Sequence, residues 1–88
     1  MKIEFDAAKD EANQAKHGVS LAAAAEIDLD GAVVFEDFRF EYGERRFTAF
    51  APLNGRLYAM HFTVRGDVIR VIGLRKANQR ERKKYESP

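Results

Sequence analysis

At 88 residues, 45% of them apolar and 11% aromatic, the chain is long enough for one small core, and a single domain over residues 1–88 is expected. It is too hydrophobic to be disordered, and the absence of cysteine excludes disulfides, thiol chemistry and thiolate zinc sites. The net charge of +1 hides a chain sorted by sign: residues 1–44 set four Lys or Arg against eleven Asp or Glu, and residues 45–88 set eleven against three. A basic half of this kind points to a polyanionic partner.

Lys2 to Phe5 alternates polar and apolar residues and reads as a short strand. Asp6 is a candidate N-cap for a helix over Ala7 to His17, a stretch without β-branched residues that Gly18 ends. Ser20 offers a second cap, and Val19 to Leu29, with its four successive alanines, predicts a second helix lying close on a sheet. The period then changes to strands at Ala32–Phe38, Arg45–Ala51, Arg56–Val64 and Val68–Leu74, broken by Gly43, Asn54-Gly55 and Arg65-Gly66-Asp67. Connections this tight predict an antiparallel meander, with Asn-Gly suited to a type I′ turn. Lys76 to Glu86 is helix-prone again, and Ser87-Pro88 ends it. The order predicts an α+β fold: an N-terminal strand, two helices, a four-stranded antiparallel meander and a C-terminal helix, with the helices on one face of the sheet.

Few chemistries fit these residues. His17 and His61 lie far apart and in no ligand spacing, and Glu36-Asp37 on a strand points to opposite faces, so neither a metal nor a cofactor is expected. No phosphate-binding glycine loop or Gly-x-Ser-x-Gly elbow occurs. What remains is Arg, Lys, His, Tyr and Glu. Strict alternation along the last strand groups Arg70 with Val68, Ile72 and Leu74, and Arg75 with Ile69, Val71 and Gly73. Guanidinium groups among β-branched residues need a carboxylate partner or a cleft, and they suit the charge of a phosphorane. Ala77, Glu81 and Tyr85 share one stripe of the last helix, so Glu81 can pair with Arg70 or Arg75, either to dock the helix or to serve in catalysis. Tyr85 has the same two readings. His17 closes the first helix, where a cation suits the macrodipole, and it is also a candidate general base. His61, inside a strand pattern, reads as structural. Lys16, Arg45, Arg46, Lys76, Arg80, Arg82, Lys83 and Lys84 are candidates for contact with a nucleic-acid backbone. The first residues meet charge before any long apolar run, and no stretch approaches a membrane span, so a cytoplasmic location is expected.

Phe5-Asp6-x-x-Lys9 with Asn13, Lys16-His17-Gly18-Val19-Ser20, Thr63-x-Arg65-Gly66, Arg70-Val71-Ile72-Gly73-Leu74-Arg75-Lys76-Ala77 and Glu81-Arg82-x-x-Tyr85-Glu86 together resemble the BrnT toxins of bacterial toxin–antitoxin systems, in the right order and over nearly the whole chain. The resemblance implies a RelE-like ribonuclease fold and metal-independent RNA cleavage that arrests translation. It also implies a BrnA-type ribbon-helix-helix antitoxin in a 2:2 complex that binds operator DNA chiefly through the antitoxin. RNA carries its own nucleophile, the 2′-hydroxyl, so Arg75 and Arg70 would meet phosphate charge while His17, Glu81 and Tyr85 compete for the acid–base roles. The chain departs from the family pattern at Ala7, where Pro is common, at Gly73-Leu74, where Ser-Ala is usual, and at Ala51-Pro52, where a Gly is expected. A non-catalytic nucleic-acid-binding module or co-repressor subunit would explain the basic half equally well.

Overall fold

Asp6 accepts the Lys9 N–H at 3.0 Å and opens helix α1 (Ala7–His17), which Gly18 closes with φ 71°, donating its N–H to the Gln14 carbonyl. Before it comes strand β1 (Lys2–Glu4), and after it β2 (Val33–Glu36), β3 (Phe47–Leu53), β4 (Arg56–Arg65), β5 (Val68–Lys76) and helix α2 (Gln79–Glu86). These elements belong to a computed structural model that describes residues 2–39, 41 and 43–86; the expected helix end at Ser87-Pro88 lies outside the described residues.

The four later strands form the predicted antiparallel meander, and β1 adds a parallel edge beside β5, giving the order β1-β5-β4-β3-β2. Asn54 and Gly55, both at positive φ, make the β3–β4 turn and fix its pairing outward from Leu53↔Arg56. The β5 edge is covered in two ways. Parallel β1 pairs with Val68, Ile69 and Arg70. Beyond β1, the Asn13 amide takes over the ladder, accepting from the Leu74 N–H at 3.2 Å and donating to the Leu74 carbonyl at 2.8 Å and the Val19 carbonyl at 2.9 Å. Asn13 is the one buried residue of α1.

The segment predicted as a second α-helix is instead a 3₁₀ helix over Leu21–Glu26, followed by a 3₁₀ turn over Leu29–Gly31. The reason is the burial period. Leu21, Ala24 and Ile27 are the buried residues here, three apart, and a helix of three residues per turn keeps them in one line where a 3.6-residue helix would drift. Asp10 on α1 also anchors the start, accepting from Ser20 Oγ at 3.0 Å and from the Leu21 N–H at 2.7 Å. The main core lies between this segment and one sheet face, against Ala49, Ala51, Met60, Phe62, Val71 and Leu74. Burial of each large side chain there contributes roughly 1.5–3 kcal/mol.

The helices do not share a face as predicted. Helix α2 packs on the opposite side, where Phe50, Leu57, Ala59 and Ala77 form a second cluster under Tyr85. It starts at Gln79 rather than Lys76 because β5 runs on to Lys76 and Asn78 supplies the cap. The Asn78 Oδ1 accepts from the Glu81 N–H at 2.8 Å, and Glu81 returns the bond to the Asn78 N–H at 2.9 Å.

Candidate active site

One extra residue sets the geometry of the site. Counting back from Arg65↔Val68, strict alternation would put Arg75 on the face of the main core, away from Arg70. A bulge intervenes: Phe62 pairs with Val71 and His61 with Gly73, so Ile72 is left without a partner. Every residue beyond it changes face. Arg75 therefore pairs with Ala59 and lies on the same face as Arg70, His61 and Thr48, which corrects the opposed placement expected from alternation.

On that face a cleft of about 300 Å³ is lined by His61, Thr48, Arg75 and Glu81, with Phe35, Phe38, Asp37 and Arg39 on its β2 side. Two pairs organise it. The Arg75 guanidinium grips Glu81 with both terminal nitrogens, at 2.8 and 3.0 Å, across half-buried side chains. That pairing, before the bond to the Asn78 N–H, holds the Glu81 carboxyl below the usual range. His61 Nδ1 lies 3.0 Å from the buried Thr48 hydroxyl, leaving Nε2 for exchange. Burial first, and then the Arg75 and Arg39 charges, depress its pKa below the ordinary 6.5, so the ring is neutral at pH 7.

The other predicted residues are spread more widely. Tyr85 is outside the cleft lining but stacks on Phe50, which lines it, with ring centroids 4.4 Å apart and planes 12° from parallel. Arg70 shares the face but pairs with Glu4 at 3.1 Å near the β1 end, outside the cleft lining. His17 and Lys16 lie in a separate shallow groove with Lys9 and Ile72. Desolvation, then Lys16 and Arg75, lower the His17 pKa. Arg46 faces a neighbouring depression that also includes His61 and Gly73. Arg45 is directed elsewhere, held by Glu36 at 2.7 Å and lying over the Phe47 ring. Lys76 and the α2 residues Arg80, Arg82, Lys83 and Lys84 are exposed, with Arg82 also bonded to Glu86.

His61, read from the sequence as structural, lines the cleft. Its signal was present: the Asn54-Gly55 turn, counted outward from Leu53↔Arg56, sets His61 opposite Thr48 and on the face away from Met60 and Phe62. Gly73 stands directly across from it, and a Cβ there would lie 3.5 Å from the imidazole, so the serine usual in the BrnT pattern would add a hydroxyl beside His61. Among the described residues no three His, Asp or Glu side chains converge as metal ligands, and no helix is long and apolar enough to cross a membrane.

Comparison with known proteins points to one family. Residues 5–81 match the family described as "Ribonuclease toxin, BrnT, of type II toxin-antitoxin system". The crystal structure of the Brucella abortus ribonuclease toxin BrnT superposes with a TM-score of 0.71 at 33% identity, over 90% of this chain and 99% of that one. No curated protein sequence matches.

Proposed function

Because the chain belongs to the BrnT family of ribonuclease toxins of type II toxin–antitoxin systems, we propose that the cleft between β2, the bulged β5 and α2 is its RNA-cleaving site and that it works without a metal. The observation carrying this reading is the convergence of Arg75, held by Glu81, and a neutral His61, held by Thr48, in one cleft flanked by the exposed cations of α2.

Arg75 has five N–H donors. Two meet Glu81 and one reaches the Lys76 carbonyl at 3.4 Å, so the fork is pre-oriented while donors remain for a phosphate oxygen. Neutral His61 accepts the proton of the 2′-hydroxyl through Nε2. The 2′-oxygen attacks phosphorus, Arg75 stabilises the added charge, and the P–O5′ bond breaks as an acid protonates the leaving oxygen. Tyr85, stacked on the cleft residue Phe50, is the acid candidate; His17 lies in the separate groove with its pKa lowered, which disfavours the protonated form an acid needs. Glu81, kept ionised by Arg75, acts by orienting it. Arg80 and Lys83 hold the RNA backbone, while Arg70 and Arg45, engaged with Glu4 and Glu36, take lesser parts.

Family membership supports a RelE-like architecture and a BrnA-type ribbon-helix-helix antitoxin that forms a 2:2 complex, contacts operator DNA and covers this cleft in the cytoplasm. RNA incubated with the chain in excess EDTA should be cut to 2′,3′-cyclic phosphate and 5′-hydroxyl ends. Cleavage only after Mg²⁺ or Mn²⁺ is restored would refute the metal-free reading. Binding without any cleavage would leave a nucleic-acid-binding module.

A further inference from the structure

Phe38 is 80% exposed and Phe35 44% exposed, both on the lip of the cleft that holds His61 and Arg75. Phe35 is also the outer member of an aromatic row. It stacks on Phe50 with centroids 5.8 Å apart and planes 23° from parallel, and Phe50 stacks in turn on Tyr85. Among the described residues the row runs from α2 across β3 to β2, where the Phe35 ring keeps 44% of its surface exposed. Exposed aromatic faces at such a place have a cost in water that a flat ligand would offset.

The charges around the rings favour one kind of ligand. The carboxylates beside the cleft are already engaged: Glu81 by Arg75, Asp37 by Arg39 and Glu36 by Arg45. The cations in excess are those on exposed α2, next to the Tyr85 end of the row. A ligand that joins flat apolar faces to regularly spaced negative charge matches this surface, and unpaired nucleobases on a phosphate backbone have that character. In a duplex the base faces are stacked on one another and are not offered to a protein.

We propose that Phe35 and Phe38 form a base-stacking subsite that admits an unpaired nucleotide beside the scissile phosphate and so restricts cleavage to single-stranded RNA. This rests on the ribonuclease reading for the cleavage step, but the stacking itself does not require cleavage. The chain has no tryptophan, so Phe38→Trp supplies a single fluorescent reporter at the subsite. Its emission should be quenched by a 2′-O-methyl single strand, which cannot be cut, and not by the same strand in a duplex or by one made abasic. Phe38→Ala, at a solvent-exposed position, should keep the melting temperature and bind the single strand roughly 5- to 100-fold more weakly. Equal quenching by duplex and abasic strands, or wild-type affinity in Phe38→Ala, would overturn the proposal and leave the lip to a protein partner. Quenching by a chain that cuts nothing would refute the ribonuclease reading and leave the stacking subsite standing.

Discussion

Asn13 is the residue whose removal the structure prices most directly. It is 8% exposed, and its amide occupies three backbone groups of two other segments: the Leu74 N–H, the Leu74 carbonyl and the Val19 carbonyl. Asn13→Ala strands all three. At about 1–3 kcal/mol for each unsatisfied buried group, and with water able to reach the Val19 end, the loss should be roughly 2–4 kcal/mol. For a domain of this size that corresponds to a fall in melting temperature of roughly 10–30 °C. Asn13→Asp is the sharper variant because it keeps the shape. Its carboxylate still accepts from Leu74 but confronts two carbonyl oxygens, so at pH 7 the cost should match or exceed that of Asn13→Ala. Lowering the pH protonates the acid and restores one donor, so the gap between Asn13→Asp and the unsubstituted chain at the same pH should narrow. Urea unfolding of both variants between pH 4.5 and 7.5 measures this. An Asn13→Ala midpoint within experimental scatter of the parent would refute the role assigned to the amide as a surrogate strand.

Glu81→Gln replaces an acceptor facing Arg75 with a donor and weakens the Asn78 cap, and should lower stability by roughly 1–3 kcal/mol in the same assay. Tyr85→Phe keeps the stack on Phe50 and should leave the melting temperature unchanged; a reduced RNA cleavage rate would then assign the phenol to the acid step, and full activity would remove it. The pH dependence follows from the histidines. The folded pKa values of His61 and His17 lie below 6.5, so the unfolded chain binds the extra protons first as pH falls. Stability should therefore be full above pH 6.5 and decline below it, before the depressed carboxyl of Glu81 begins to titrate. His61→Gln should flatten that decline more than His17→Gln does, because His61 is the more deeply placed; equal slopes would contradict the burial assigned to it.

Local chemistry was legible and long-range register was not. Asp6, Gly18, Ser20 and Asn54-Gly55 mark their caps and turns because each acts through bonds to its own neighbours. The meander followed from those turns, and helical spacing left Arg70 or Arg75 as the partner of Glu81, of which Arg75 is the one that pairs. Two things depended on contacts between distant segments. The 3₁₀ period of Leu21–Glu26 answers to a sheet that only tertiary structure supplies, since four alanines are good α-helix formers by themselves. The bulge at Ile72 left only one mark, Gly73 inside the strand, among Val, Ile and Leu residues that let either phase bury apolar side chains. That single slip moved Arg75 to the face of His61, and without it the imidazole had no visible partner in the sequence but Thr48.

The role proposed for Arg75, carried across the sheet by the bulge, is to stabilise charge on the scissile phosphate. It is tested most directly by the rate at which Arg75→Ala, confirmed folded by circular dichroism, cleaves single-stranded RNA in excess EDTA. A loss of at least about 100-fold against the parent chain is expected, as for other donors aimed at developing negative charge. A folded Arg75→Ala that cuts the same RNA at close to the parent rate would contradict it.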